Sequence, residues 1–219
     1  MAILIITALD QRKKGYLTSS IMRWIIDGIV SAGKKHRCVD INTLELKRCL
    51  GDQCSNRFFD KASKCGCLKY KECIDDYNEL ATNKIYEEMV ESEAIIFFLG
   101  EFHSTCYIFF EEVYKREWKY VKRQREEGEK SHTDLKGKLA GKPYLVIALL
   151  ERYGYSLNMQ SIIEYTIDRN RYRLRMKLID LFMVNNDNEE YMEEVIPPAI
   201  RVFSTEYGTF HKDKISWFK

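Results

Sequence analysis

Four short and mainly apolar runs dominate the hydrophobic pattern of the chain: Ala2–Ile6, Ala94–Leu99, Tyr144–Leu150 and Lys177–Val184. A run that is apolar on both faces is typical of a strand buried between two layers, as in a parallel sheet that helices cover. A further run, Arg37–Ile41, predicts one more strand. The pattern therefore predicts a sheet of five strands.

Segments with apolar residues at helical spacing separate these runs. The first contains Ile21, Ile25 and Ile29, and Gly33 follows as the predicted C-cap. Further helices are predicted from about Ile108 and over 158–169. The alternation of buried strands with amphipathic helices predicts an α/β fold, a three-layer sandwich around a parallel sheet.

Two helices carry more specific expectations. The helix that follows Ile74–Asn78 is predicted to turn four apolar side chains inward: Leu80, Ile85, Met89 and Val90. Near the end of the chain, Pro197 and Pro198 are predicted to interrupt a helical region, because proline lacks the N–H that an α-helix requires.

Size and charge limit the possible classes of protein. The 219 residues, 45% of them hydrophobic, fit one domain with a substantial core, and no segment is long enough to span a membrane. The first apolar run lacks the basic flank of a signal peptide, so we expect a cytoplasmic protein with no membrane partner. A net charge of +2 requires no nucleic-acid partner.

The loop after the first strand has the composition of an anion site. It contains Arg12, and the hydroxyl residues Thr18 and Ser19 open the following helix. The first N–H groups of a helix lack internal partners and the helix dipole is positive there, so a phosphate would bind favourably. The alternative is a capped helix after a surface loop with ordinary basic side chains.

Five of the seven cysteines fall within one irregular stretch: Cys49, Cys54, Cys65, Cys67 and Cys73. In a cytosolic chain, such clustering indicates metal or redox chemistry more than a disulfide scaffold. Four thiolates from this set could bind an iron–sulfur cluster or a tetrahedral zinc ion. The alternatives are one disulfide that closes the loop, or reduced cysteines without a ligand. Cys106, outside the stretch, is predicted to pack as a small buried residue.

Several motifs together resemble the NADPH-dependent FMN reductase and iron–sulfur flavoprotein family. They are Thr7-Ala8-Leu9-Asp10 with Arg12 and Leu17-Thr18, Cys73-Ile74-Asp75-Asp76-Tyr77, Leu99-Gly100-Glu101-Phe102-His103-Ser104, and Leu139-Ala140-Gly141-Lys142-Pro143. The similarity covers 1–150, with weaker agreement to about residue 184. It implies a flavodoxin-like domain over 1–184 with a cysteine-rich insertion at about 47–73, followed by a C-terminal helical extension and tail over 185–219.

The resemblance also implies an FMN site. Its phosphate would be held by Thr7, Leu9, Arg12, Leu17 and Thr18, with Ser19 beside them. The isoalloxazine ring would lie along Gly100, Glu101, Phe102, His103 and Ser104. Phe102 would stack on the ring or pack beside it. The Glu101 carboxylate must point away from a reduced, anionic flavin, or the redox chemistry differs from that of the family. His103 is either a turn residue that is solvated or bonded to the backbone, or a donor to a flavin carbonyl or a bound substrate.

The implied activity is an FMN-dependent oxidoreductase that takes hydride from NAD(P)H and passes electrons to a flavin, quinone or iron–sulfur acceptor. We expect a homodimer or homotetramer. The alternative is a non-catalytic redox carrier or scaffold with a metal-binding cysteine cluster. A third class, a binder of nucleic acid or of an acidic partner, would use the basic tract 115–125 and the alternating basic residues of 169–177. The near balance of charge argues against it.

Overall fold

A computed structural model of the chain describes residues 2–9, 16–44, 46, 74–100, 104–127, 136–150, 166–167, 170–171, 174–185 and 187–207. The strands are β1 (Ala2–Ala8), β2 (Lys35–Asp40), β3 (Ala94–Leu99), β4 (Pro143–Leu149) and β5 (Lys177–Val184). The α-helices are α1 (Tyr16–Ser31), α2 (Ile74–Glu91), α3 (Ser104–Glu126) and α4 (Glu189–Tyr207). A short 3₁₀-helix, Ile41–Thr43, follows β2.

The five strands form one sheet in the order β2-β1-β3-β4-β5, and every neighbouring pair is parallel. This is the strand order of the flavodoxin-like doubly wound fold. One hydrophobic cluster joins the sheet to α2 and α3, and a second joins its other face to α1 and α4. The predicted α/β three-layer sandwich with a parallel sheet is therefore confirmed.

The central strands are the most strongly apolar ones. All six residues of β3 are buried, as are Ile3 to Ala8 of β1, because helices cover both faces of the sheet. The edge strands are more polar, and β2 exposes Lys35 and Arg37. Charged side chains on an edge strand discourage pairing with another chain. The bounds predicted for β3 and β5 are confirmed.

The end of α1 also agrees with the prediction. Gly33 has a φ of +68°, the left-handed conformation that glycine adopts without steric cost. Its N–H donates to the Val30 carbonyl at 2.8 Å, and the Lys34 N–H donates to the Ile29 carbonyl at 3.2 Å. These two bonds form a Schellman motif, so Gly33 is the predicted C-cap.

Helices α1 and α4 approach each other closely at Gly28. A Cβ atom added there would lie 2.7 Å from the Ile200 Cβ and 2.9 Å from the Pro197 carbonyl oxygen. Both distances are too short for real Cβ contacts, so the spacing of the two helices requires glycine at this position.

Three expectations about the helices are wrong. Pro197 and Pro198 do not interrupt α4, which is continuous from Glu189 to Tyr207. The prolines free the carbonyls four residues earlier, and those residues, 193 and 194, are exposed to water. The buried Ile196, Ile200 and Phe203 hold the helix against the core on both sides of the pair.

The other two errors concern α2 and α3. Leu80 is 77% exposed because Asn78 and Thr82 form the buried face, and a shift of two residues points a side chain to the opposite side of a helix. Ile85 and Met89 are buried as predicted. Helix α3 begins at Ser104, earlier than the predicted Ile108. The helix predicted over 158–169 lies outside the described residues except at 166 and 167.

Candidate functional site

The strands that precede the predicted phosphate and ring segments, β1 and β3, end at the same carboxyl edge of the sheet. Strands β1 and β3 end side by side, with Ala8 paired to Leu99. The Gly100 N–H then donates to the Ala8 carbonyl at 2.9 Å. The chain leaves β1 and β3 in opposite directions along the sheet, and ligands of open α/β sheets bind outside such a switch point.

Three of the predicted phosphate residues are buried among protein atoms. Thr7 is 4% exposed, and its hydroxyl donates to the Val39 carbonyl of β2 at 3.5 Å. Leu9 is 6% exposed and packs against Gly100, where an added Cβ would lie 3.2 Å from the Leu9 Cδ2. Thr18 is also buried. These three buried side chains therefore pack beneath the carboxyl edge of the sheet.

The N-terminal turn of α1 faces outward at the same edge. Tyr16 and Ser19 are exposed, Leu17 is half-buried, and residues 16–19 include no acidic side chain. The N–H groups of a first turn have no partners within the helix, and the dipole makes that end positive. This donor set, together with the Ser19 hydroxyl, suits a phosphate group chemically.

The side predicted for the flavin ring is described in part. Gly100 is fully packed beneath the edge, and Ser104 begins α3. Arg12, Glu101, Phe102 and His103 lie outside the described residues. The structure therefore brings β1, the first turn of α1 and Gly100 together at one edge, as the sequence predicts.

The predicted metal ligands Cys49, Cys54, Cys65, Cys67 and Cys73 also lie outside the described residues. In the part of the chain that is described, no three histidine, cysteine or acidic side chains are grouped to hold a metal ion. The two described cysteines are Cys38, exposed on β2, and Cys106, fully buried as predicted. Partial burial of the Cys38 thiol and the charge of Asp40 raise its pKa, which disfavours its thiolate.

One residue at the edge was not found from the sequence. The Asn42 side-chain amide donates to the Leu9 carbonyl at 2.5 Å, across 33 positions of the chain. Asn42 lies in the 3₁₀-helix after β2, where its own N–H donates to the Asp40 carboxylate at 3.0 Å. The available signal was its position: a polar residue directly after a strand that neighbours β1.

The strongest pKa shifts occur far from this edge, at the amino ends of the strands. Burial raises the pKa of the Glu117 carboxyl, which accepts hydrogen bonds from the Tyr86 hydroxyl and, at 3.2 Å, from the Leu139 N–H. Burial also lowers the pKa of Lys142 to about 8, and its amine donates to the Val90 carbonyl at 2.9 Å and to the Ser92 carbonyl. These groups hold the turn before β4 and the end of α2.

A cavity of about 300 Å³ also opens at the amino edge. Its walls include Lys35, Arg37 and Glu91, together with Glu88, whose carboxylate pairs with Arg37 at 3.3 Å. The cavity therefore lies on the side of the sheet opposite the carboxyl edge and adds nothing to the candidate site.

No protein-family model matches the sequence, and no curated protein matches it. Solved structures do match. A flavone reductase superposes with a TM-score of 0.59 at 11% identity, covering 96% of this chain and 65% of its own. An azoreductase superposes with a TM-score of 0.56 at 8% identity, covering 94% of this chain and 100% of its own. The NAD(P)H:quinone oxidoreductase from Methanothermobacter marburgensis superposes with a TM-score of 0.52 at 12% identity, covering 96% of this chain and 98% of its own.

These likenesses establish the fold alone, since all three identities are below 15%. The chain spans less than two thirds of the flavone reductase. Among the helices of the described residues, none has the length and hydropathy needed to cross a bilayer.

Proposed function

We propose that the chain is an FMN-dependent oxidoreductase that takes hydride from NAD(P)H and passes electrons to a flavin, quinone or iron–sulfur acceptor. The observation that carries the proposal is the N-terminal turn of α1, which is free of acidic residues and lies beside the β1–β3 switch point. The similar structures include a flavone reductase, an azoreductase and a quinone oxidoreductase, which supports the same reading.

In this proposal the phosphate of FMN lies at the first turn of α1. Backbone N–H groups of residues 16–19 and the Ser19 hydroxyl would donate to it, and the Arg12 guanidinium would add a positive charge and two parallel hydrogen bonds. Thr7 would contribute through packing, because its hydroxyl already donates to the Val39 carbonyl, whereas Thr18 would add a hydroxyl donor at the start of α1. The Leu9 and Leu17 side chains would support the loop from its apolar side.

The ring of FMN would lie along the turn 100–104. Backbone N–H groups there would face its polar edge, with Phe102 against it and His103 within reach of a carbonyl. FMN supplies the hydride-accepting chemistry itself, so the residues of this chain need only bind it, orient the nicotinamide and exclude water.

Flavin titration of the purified protein tests this function. We expect FMN bound one to one, a yellow protein after anaerobic purification, and oxidation of NADH or NADPH when a quinone is added. A protein that binds no FMN at micromolar concentration and oxidises neither nucleotide would be a scaffold, and the proposal would be wrong.

Two variants locate the reaction within the molecule. Ser104→Arg places a bulky charge at the start of α3 and should reduce both FMN binding and NAD(P)H oxidation at least about tenfold, since it obstructs the ring position. The matched control neutralises Arg171, Arg173 and Arg175 together, and should retain oxidation. The opposite pattern would place the site outside the carboxyl edge.

A further inference from the structure

The outward face of α4 carries a row of exposed apolar side chains, which we call the α4 stripe. It consists of Tyr191, Pro198 and Val202, and Tyr191 is 63% exposed and Val202 54%. These residues lie seven and four positions apart, a spacing that returns to the same side of an α-helix. Ile200, which is fully buried, lies on the opposite side of α4. The α4 stripe therefore lies outside the core, where it can contact another molecule.

Helix α1 widens this apolar surface. Helices α1 and α4 run in the same direction, because each follows a strand of one parallel sheet and both cover the same face. They approach each other where Gly28 meets Ile200. Val30 and Val202 each lie two positions further along, so they lie at the same level, and Val30 is 57% exposed. An exposed apolar surface that spans two helices is typical of an interaction site.

Two opposite charges lie on one flank of the α4 stripe. Glu194 and Arg201 are both exposed and lie seven positions apart, about 10 Å along the helix axis, with Pro197 and Pro198 midway between them. The positions three and four residues away from each of them hold no side chain of opposite charge. Neither charge therefore has an ion-pair partner within α4, and each can pair across an interface.

We propose that the α4 stripe is the interface of a symmetric dimer, in which α4 of one copy packs antiparallel against α4 of a second copy. The two-fold axis would pass beside Pro198, perpendicular to both helices. In such an interface the same surface of both copies meets, and each residue opposes the position equally far beyond the midpoint. The inference goes beyond the proposed function and does not depend on it.

The charges and the apolar residues both fit this arrangement. Glu194 of each copy would oppose Arg201 of the other, because both charges lie on the same flank and equally far from the midpoint. Tyr191 would oppose the end of the stripe that contains Val202, and the two Pro198 rings would meet at the centre. A parallel pairing would instead bring Glu194 level with Glu194 and Arg201 level with Arg201, which leaves both without an opposite charge.

The net charge of α4 disfavours other classes of partner. The helix contains one basic residue, Arg201, and five acidic residues, which gives it a net charge of −4: Glu189, Glu190, Glu193, Glu194 and Glu206. A nucleic acid or an anionic membrane surface would be repelled by this charge. A second copy of the chain meets it with its own arginine at the opposing position.

Charge reversal tests the antiparallel pairing. Sedimentation velocity over a concentration series measures the dimer dissociation constant of the full-length chain without ligand. Arg201→Glu and Glu194→Arg each create two pairs of like charge in the interface, so each should raise the constant at least about tenfold. The double variant restores both ion pairs with exchanged signs and should return the constant to within about threefold of the wild type. Lys122→Glu, which reverses an exposed charge on α3, is the matched control and should leave the constant unchanged.

Thermal unfolding of each variant checks that it is folded. A wild-type chain that stays monomeric at every concentration would overturn the inference, as would a dimer that neither single reversal weakens. A double variant as weak as the single variants, or an equal loss in Lys122→Glu, would also overturn it. Weaker single variants, a restored double variant and an unchanged control would together support it. FMN binding is measured separately, so the proposed function stands or fails independently of these outcomes.

Discussion

Gly28→Ala should destabilise the protein, although alanine is the better helix former. The added Cβ would lie 2.7 Å from both Cβ and Cγ2 of Ile200 and 2.9 Å from the Pro197 carbonyl oxygen. Two of these atoms cannot rotate away, because one is a Cβ and one belongs to the backbone. Helix α4 must therefore move away from α1, which opens the core that both helices share.

The magnitude follows from two opposing effects. Overpacking of a well-packed core costs about 1–3 kcal/mol, and replacing glycine by alanine inside a helix returns about 1 kcal/mol. Because two of the contacting atoms cannot rotate away, we expect the cost to prevail, with a net loss of up to about 2 kcal/mol in the free energy of unfolding, measured by urea denaturation with circular dichroism.

Two further variants separate the close contact from other effects of glycine replacement. Ile200→Ala removes the Cγ2 atom, so the double variant with Gly28→Ala should lose less stability than the sum of the two single variants. Gly33→Ala is the control, because Gly33 has a φ of +68° and open space around it. Its double variant with Ile200→Ala should lose as much stability as the sum of the two single variants. A Gly28→Ala protein as stable as the wild type would refute the close approach of α1 and α4.

Three other predictions concern charge and metal. Ser19→Asp should stabilise the ligand-free protein by about 0.3–1 kcal/mol through the helix dipole, yet weaken FMN binding about tenfold because the new carboxylate repels the phosphate. Ser31→Asp, at the other end of α1, should leave FMN binding unchanged, and an equal loss of FMN binding in both variants would contradict the phosphate position. Burial raises the pKa of the Glu117 carboxyl in the folded state, so stability should fall as pH rises from the unfolded value of about 4.3 through the folded pKa. Glu117→Gln should flatten that slope in pH-dependent urea midpoints, and a slope equal to that of the wild type would show that Glu117 does not titrate as described. Anaerobically purified protein should contain iron with labile sulfide, or else zinc, bound by the cysteines of 49–73, and the absence of both metals together with five titratable thiols in that stretch would leave them as ordinary loop residues.

The features predicted correctly from the sequence are those with a local cause. The bounds of β3 follow from an uninterrupted apolar run, and Gly33 follows a stripe of three isoleucines at helical spacing. The failures depend on the rest of the molecule. The orientation of Leu80 is decided by which face of α2 meets the sheet, and the continuity of α4 through Pro197 and Pro198 depends on packing against α1.

The candidate site divides in the same way. Topology alone places the loops after β1 and β3 at one edge, because both strands run in the same direction. The direction of a single hydroxyl or amide does not follow from topology. Thr7 donates to Val39, and Asn42 donates to Leu9, across 32 and 33 positions of the chain, so the neighbouring sequence does not identify the acceptor in either contact.

The close contact of α4 with α1 has a consequence for synthesis of the protein on the ribosome. Helix α1 is complete by Ser31, but the helix that covers it ends only at Tyr207. At a translation rate of about 5–20 residues per second, that interval lasts about 10–35 s. Throughout it, the apolar side chains that α1 turns toward α4 have no native cover. The nascent chain therefore keeps the apolar face of α1 without its native cover until α4 has been synthesised.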